Sequence, residues 1–198
     1  MRKVTLIALS LVGVVAAALF LTPNSWFYQD RRPTRLGKAV NRAWTWAASL
    51  GVTPSAWPGE PRIGTIALEV RGRHTGALRS NVVTWVELGG ERYLVSMLGE
   101  RAEWVRNVRA AGGRAVIRHG GREPVFLEEV LVDQRAPVLK AYLKRTALST
   151  RQHLGLEPEA PLSEFQRIAP THPVFHITRP VSQTGVSRRT RQSQTPVT

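Results

Sequence analysis

Residues 63–88, IGTIALEVRGRHTGALRSNVVTWVEL, contain the clearest strand pattern in the sequence. Two apolar runs within this stretch, at residues 63–70 and 80–88, contain enough β-branched residues to predict strands. Between them lies the segment 71–79, hereafter the arginine loop, which carries three arginines, two glycines and one threonine. Glycines let a backbone approach a ligand closely, and guanidinium groups pair with the oxygens of phosphates or carboxylates. The stretch therefore predicts two strands joined by a loop that binds an anion.

Further strands are predicted on the carboxyl-terminal side of this stretch. The pair Gly89-Gly90 precedes an apolar run at residues 92–97, which predicts a hairpin with the strand before it. A second hairpin is predicted around Gly120-Gly121. The remaining predicted elements are strands at residues 114–119, 125–132 and 174–178 and helices at residues 102–111 and 136–148. Short strands interrupted by one small helix predict a mainly β fold with helices, built as a barrel or half-open barrel.

The amino-terminal segment 1–22 predicts a membrane anchor. An uncharged run, residues 4–21, follows Arg2 and Lys3. As a helix this run would reach roughly 27 Å, which is close to the thickness of one hydrocarbon core. A cleaved signal peptide is the alternative, because the three alanines at residues 16–18 satisfy the small-residue rule for cleavage. We therefore expect an N-terminal membrane helix or a signal segment.

Residues 34–50 predict a basic amphipathic helix within an expected helix-and-linker segment at 23–60. Its apolar positions are Leu36, Val40, Ala43, Ala47 and Leu50, and its basic positions are Arg35, Lys38 and Arg42. With Trp44 and Trp46 such a helix suits a membrane surface, whereas packing of its apolar face on the domain core is an equal alternative. More cationic residues follow the run 4–21 than precede it, which favours a membrane-associated protein whose soluble domain faces the cytoplasm.

The charge and composition of the chain restrict its partners. Lysine and arginine number 28 against 14 aspartates and glutamates, so a formal net charge of +14 predicts attraction to nucleic acid, acidic lipids or a polyanionic small molecule. Nucleic acid is disfavoured, because the basic residues are scattered and the aromatic residues occupy predicted core positions. The absence of cysteine excludes disulfides, zinc–thiolate sites and thiol nucleophiles. Membrane lipids and a small anionic ligand remain as the expected partners.

The length of the chain allows one domain. Its 198 residues include a predicted disordered basic tail at 181–198, so we expect a single folded domain at residues 61–180. His172 and His176 have a spacing that a metal pair can use, but Pro173 lies between them and no carboxylate cluster accompanies them. The sequence therefore predicts no metal site.

A second candidate site lies at residues 96–110, after the predicted third strand. That strand leads through Gly99 into a helix, and backbone N–H groups at the start of a helix bind anions with help from the helix dipole. Because the arginine loop also predicts an anion site, we expect both segments to face one anionic ligand.

Two motifs in these segments are shared with a known family. They are Gly72-Arg73-x-Thr75-Gly76-x-x-Arg79 and, after a strand and a glycine, Trp104-x-x-Asn107-x-Arg109-Ala110. Over about residues 63–178 the chain resembles the deazaflavin-dependent nitroreductase and quinone reductase family. The resemblance implies a split β-barrel of the FMN-binding type, the deazaflavin cofactor F-420 and hydride transfer to a quinone or a nitro compound.

The resemblance also implies which residues bind the cofactor. They are Arg73, His74, Thr75, Gly76, Arg79, Met97, Leu98, Gly99, Trp104 and Asn107. Those of the arginine loop would bind the phosphate and acidic tail, those at 97–99 would line the deazaflavin, and Trp104 with Asn107 would brace that side. Members of the family commonly carry a lysine at the position of His74 and a Ser-Lys-Gly segment at 97–99.

Two interpretations of the activity follow from the resemblance. The first is a membrane-associated oxidoreductase that transfers a hydride from reduced F-420 to a quinone or nitro-type acceptor. Because the cofactor then carries the reaction, no catalytic residue of the protein is implied. The alternative is a non-catalytic, membrane-tethered binding module of the same barrel, which would hold a flavin, haem or lipid. FMN is the alternative cofactor.

Overall fold

The computed structural model of the protein describes residues 28–29, 32–51, 63–146 and 153–179. The segment 1–22, for which a membrane helix or signal peptide is expected, lies outside the described residues, and so does the basic tail at 181–198. Among the helices that are described, none has the length and apolar character needed to cross a membrane.

The described residues form β-strands and α-helices, most of the strands following one another in pairs or threes. The strands are β1 (Tyr28–Gln29), β2 (Arg32–Pro33), β3 (Ile63–Arg71), β4 (Leu78–Leu88), β5 (Glu91–Val95), β6 (Arg114–Arg118), β7 (Arg122–Glu129) and β8 (Val174–Thr178). The α-helices are α1 (Arg35–Ser49), α2 (Glu103–Ala110), α3 (Arg135–Arg145) and α4 (Leu162–Ile168). Short 3-10 helices lie at Gly99–Arg101, Val132–Gln134 and Ala169–Thr171.

The strands β3 to β8 close into an antiparallel barrel. Their order around the barrel is β3-β4-β5-β8-β7-β6, and β6 pairs back with β3, where Ile117 lies opposite Leu68. Alternate residues of β3 show why a closed sheet forms, since Leu68 and Val70 are buried in the interior while Glu69 between them points outward. The predicted mainly β fold with helices is confirmed, and the barrel is closed.

Two apolar cores lie on the two sides of the barrel wall. In the interior core, Trp104 and Val108 of α2 pack against strand residues that include Phe175. In the exterior core, Leu139 of α3 and Phe165 of α4 are fully buried against the outside of the wall. The small helix α2 thus covers one end of the barrel, and α3 and α4 cover its side.

Some predicted boundaries are wrong. The strand β7 spans Arg122–Glu129, whereas the sequence predicts it at 125–132, and Val132–Gln134 forms a 3-10 helix instead. The helix α4 is not predicted at all, because seven residues are too few for a clear apolar period.

The amphipathic helix predicted at 34–50 is confirmed as α1, but two positions of its predicted apolar face are not buried. Ala43 and Leu50 belong to the predicted apolar face, yet both are exposed. Among the residues of α1 whose burial the structure describes, Gly37 and Ala48 are buried, and α1 packs on β3 and β4.

One end of the barrel gathers the segments that predicted a site. Because neighbouring strands are antiparallel, each end of the barrel contains the last residues of some strands and the first residues of the others. At this end lie the last residues of β3, β5 and β7 and the first residues of β4, β6 and β8. The register places Val70 opposite Arg79 and Val95 opposite Val174. The arginine loop, the turn at Gly99 and α2 therefore lie at the same end of the barrel, hereafter the site end.

Candidate functional site

Backbone hydrogen bonds within the arginine loop hold it in a tight turn. The N–H of Gly72 donates to the carbonyl of Ala77 at 2.8 Å, and the N–H of Gly76 donates to the carbonyl of Gly72 at 2.8 Å. The N–H of Ala77 donates to the hydroxyl of Thr75 at 3.4 Å. The N–H groups of Gly72 and Gly76 are therefore used inside the loop and are not available to a ligand.

Side chains supply the positive charge of the loop. A Cβ on Gly72 would lie 3.2 Å from Cγ of Arg79 and 3.2 Å from the carbonyl of Ala77, so the side chain of Arg79 lies close against the loop backbone at this glycine. Arg71 donates to the carbonyl of Gly76 at 3.2 Å. Both arginines are exposed, and neither forms an ion pair with a carboxylate among the described residues. Two guanidinium groups thus face solvent beside a narrow turn.

Arg73 attaches the loop to α2. Its guanidinium forms an ion pair with Glu103 at 2.7 Å and donates to the Oδ1 of Asn107 at 3.2 Å. The backbone N–H of Arg73 donates to the same Oδ1 at 3.2 Å. Asn107 is 6% exposed, so these bonds satisfy a buried amide oxygen. The two candidate segments are brought together as expected, through Asn107, which is a predicted site residue, and through Glu103, which the sequence did not indicate.

The ion pair changes the acidity of Glu103. The hydrogen bond from Arg73 holds the pKa of Glu103 below its ordinary value of 4.5. Because the pKa in the folded protein is lowered, the pair contributes stability above pH 4.5, and that contribution is lost as the pH falls through the lowered pKa. The attachment of the loop to α2 is thus complete at neutral pH.

Arg73→Ala is expected to raise the pKa of Glu103 toward 4.5, because its hydrogen bond is the largest cause of the lowering. Arg106→Ala is the matched control, since Arg106 lies farther from Glu103, at 3.4 Å, and should raise the pKa less. An NMR titration of the Glu103 carboxyl carbon measures both effects. Equal rises in the two variants would contradict the assignment of Arg73 as the main partner.

The turn at 96–99 is pressed against the end of the 3-10 helix Ala169–Thr171. Ser96 is fully buried, and its hydroxyl donates to the carbonyl of Gly99 at 2.8 Å. Gly99 has a φ of +71°, and a Cβ there would lie 2.7 Å from the carbonyl oxygen of Thr171. Met97 and Leu98 are half-buried between these two fixed residues. The position therefore requires glycine both for its backbone conformation and for space.

Trp104 and Tyr142 are core residues. Trp104 is 9% exposed and its ring lies 5.4 Å from that of Phe175, so it supports the site end from inside the barrel and offers no surface to a ligand. The phenol of Tyr142 lies in the exterior core, and burial raises the pKa of Tyr142 to about 12. The site end therefore owes its exposed chemistry to the arginine loop and the turn.

A network of ion pairs, of which only Arg135 is buried, joins α2 to the wall of the barrel. Arg109 forms ion pairs with Glu129 at 2.6 Å and with Glu100, and these carboxylates raise its pKa. Glu129 also accepts from Arg135 at 2.9 Å, while Arg135 donates to the carbonyl of Ala169 at 3.1 Å. Arg109 belongs to the sequence motif, but its partners were missed, because Glu129 lies on β7 and Glu100 in the 3-10 helix Gly99–Arg101, and no local pattern links them to Arg109.

Comparison with known protein families finds a match that contains both candidate segments. A family model described as F420H(2)-dependent quinone reductase matches residues 40–152, which is more than half of the chain and includes both candidate segments. A solved structure described as a domain-swapped dimer is similar, with 18% identity, a TM-score of 0.40, and coverage of 72% of this chain and 96% of its own. No curated protein matches. The chain belongs to the F420H(2)-dependent quinone reductase family and is thus an oxidoreductase.

Proposed function

We propose that this protein transfers a hydride from the reduced deazaflavin F420H(2) to a quinone, with the cofactor held at the site end of the barrel. Membership in the family supports the donor and the class of acceptor. The cofactor is placed at the site end because two exposed guanidinium groups, those of Arg71 and Arg79, lie there beside Gly72.

The residues at the site end fit a polyanionic cofactor. The family resemblance gives this cofactor a phosphodiester and a polyglutamate tail, which need cations that no carboxylate of the protein has neutralised. Arg71 and Arg79 meet this requirement among the described residues. Arg101, which is exposed at the end of the 3-10 helix Gly99–Arg101, adds a third cation. These arginines compensate for the positions where members of the family commonly carry lysine, namely His74 and the segment 97–99.

Each part of the site then has a proposed role. Arg79, with Thr75, Gly76 and His74, binds the phosphate and acidic tail. Arg73 is a positioning residue, because its bonds to Glu103 and Asn107 fix the loop on α2. Met97, Leu98 and Gly99 place a rigid turn along the deazaflavin, and Trp104 supports this side from the core.

The protein's contribution to the reaction is positioning. When bound, the reduced cofactor supplies a hydride from its C5 carbon. The rigid loop and turn orient donor and acceptor, which by itself lowers the barrier of a bimolecular step, and no nucleophile of the protein takes part.

We also propose that the protein works at a membrane, with its soluble domain toward the cytoplasm. A lipid-soluble quinone supports this proposal, as does the uncharged run at residues 4–21. A nitro compound is a second class of acceptor, proposed on the family resemblance alone.

The proposed function is tested with the purified full-length protein, reduced F420 and menadione as a quinone without a tail. We expect loss of the absorbance of the reduced cofactor only when protein and quinone are both present. Failure to bind reduced F420 at micromolar concentrations, or preferential binding of FMN, would contradict the cofactor assignment. Binding without turnover of menadione or of a nitro compound would favour the non-catalytic module.

Arg79→Ala is expected to weaken binding of reduced F420 by about 1.5–3 kcal/mol, the scale of a hydrogen bond to a charged group. Arg92→Ala is the matched control, because it removes the same charge from the barrel strand β5, where Arg92 pairs with Glu123. Titration of the cofactor followed by fluorescence measures both affinities. The phosphate role of Arg79 is excluded if the two variants bind alike.

A further inference from the structure

The helix α1 presents a continuous exposed face that no described element covers. Its exposed residues are Arg35, Ala39, Arg42, Ala43, Trp46 and, at the C-cap, Leu50. At about 100° of rotation per residue these positions fall within an arc of about 100°. Gly37 and Ala48, which are buried, lie on the opposite side of the helix. The six exposed residues are hereafter the α1 face.

The α1 face ends in two large apolar side chains. Trp46 is 66% exposed and Leu50 is 51% exposed, and they lie one turn apart. This end of the helix is fixed, since the N–H of Gly120 donates to the carbonyl of Ser49 at 3.1 Å. Contiguous exposed apolar groups on a rigid support are typical of an interaction surface.

The surroundings of these apolar groups are positively charged. Arg35 and Arg42 form no ion pair with a carboxylate in the part of the chain that is described. On the adjacent hairpin, Arg118 and Arg122 share a single carboxylate, that of Glu69, at 3.1 and 3.3 Å. The α1 face and its border therefore carry an excess of positive charge.

We propose that the α1 face docks on a lipid surface with anionic headgroups. Trp46 and Leu50 enter the boundary between headgroups and acyl chains, and Arg35 and Arg42 contact the phosphates. Tryptophan prefers this boundary, because its ring is apolar and its N–H is polar. The uncharged run at residues 4–21 ends shortly before Arg35 in sequence, which also favours a lipid partner over a protein.

This inference deepens the proposed membrane association and does not depend on the enzymatic reaction. Attachment through residues 4–21 alone would hold the protein on vesicles without bringing residue 46 to the lipid. A measurement at residue 46 therefore separates docking by the α1 face from attachment of the chain as a whole.

The experiment uses the full chain with Trp46→Cys, labelled with a polarity-sensitive fluorophore. Because the chain contains no cysteine, the label is unique. We expect a blue shift on vesicles of phosphatidylcholine and phosphatidylglycerol, and a much smaller shift on phosphatidylcholine alone. Leu162→Cys is the matched control, since Leu162 is also an exposed apolar residue, at 42%, but lies on α4. Its label should not shift.

Arg35→Gln combined with Arg42→Gln tests the role of charge. In the labelled Trp46→Cys chain we expect this change to weaken docking of residue 46 on the anionic vesicles, measured by the blue shift of its label, by roughly tenfold or more. Equal shifts at residues 46 and 162, or no shift at 46, would overturn the proposal. If the label at residue 46 shifted with a lipid-free protein extract and not with vesicles, the partner of the α1 face would be a protein. That result would also overturn the proposal.

Discussion

Glu129→Gln is expected to lower the free energy of unfolding by about 2–3 kcal/mol, because it leaves a buried arginine without its charged partner. Arg135, whose side chain is 6% exposed, pairs with Glu129 at 2.9 Å, and Arg109 pairs with the same carboxylate at 2.6 Å. Glutamine offers one neutral oxygen to both guanidinium groups. The expected loss of unfolding free energy is smaller than for an ion pair that is buried completely, because the side chain of Glu129 is 28% exposed.

The matched control is Glu123→Gln on the same strand. Glu123 pairs with Arg92 at 2.7 Å, but both side chains are exposed, so we expect a loss below about 1 kcal/mol. Urea denaturation followed by circular dichroism measures the two variants under one condition. Similar losses in both would show that the Glu129 network is no more than a surface ion pair.

Gly99→Ala is expected to lower the free energy of unfolding by about 2–4 kcal/mol, from a left-handed backbone and a steric overlap together. The φ of Gly99 is +71°, and the new Cβ would lie 2.7 Å from the carbonyl oxygen of Thr171. Backbone atoms cannot give way as the end of a side chain can. The turn must therefore move, and we also expect weaker binding of reduced F420.

Gly89→Ala separates these two causes. Gly89 has a φ of +63°, but a Cβ there would meet no atom within 4 Å. The control should therefore lose only the backbone part, about 1–2 kcal/mol, and should bind reduced F420 as the unchanged protein does. Thermal unfolding and cofactor titration compare the two variants. If Gly89→Ala were equally harmful to binding, the turn at Gly99 would have no special role at the site.

These two tests concern different supports of one end of the barrel. The network around Glu129 fixes α2 and the start of α3 to the wall, while the contact of Gly99 with Thr171 fixes the turn. The proposed cofactor site depends on both, because neither the arginine loop nor the turn is held by its own residues alone.

Local patterns predicted much of the barrel correctly. The β-branched runs around the arginine loop form β3 and β4, and the glycine pair at 89–90 forms the next turn. Such features depend on neighbours in sequence, so they can be recognised without the fold. The bounds of β7 and the existence of α4 could not be predicted in this way, because tertiary packing decides where a short element ends.

The candidate site also combines features that sequence neighbours predict with features that depend on tertiary packing. From local residues alone one can predict a glycine-containing loop with three arginines between two strands, and a second glycine that leads into a helix. The pairing of Arg73 with Glu103, which is 30 residues away, and the exposure of Arg79 become visible only in the folded barrel. The same holds for the pairing of Arg109 with Glu129, 20 residues away. Closure of the barrel sets which charges meet, and charges that are distant in sequence leave no periodic pattern.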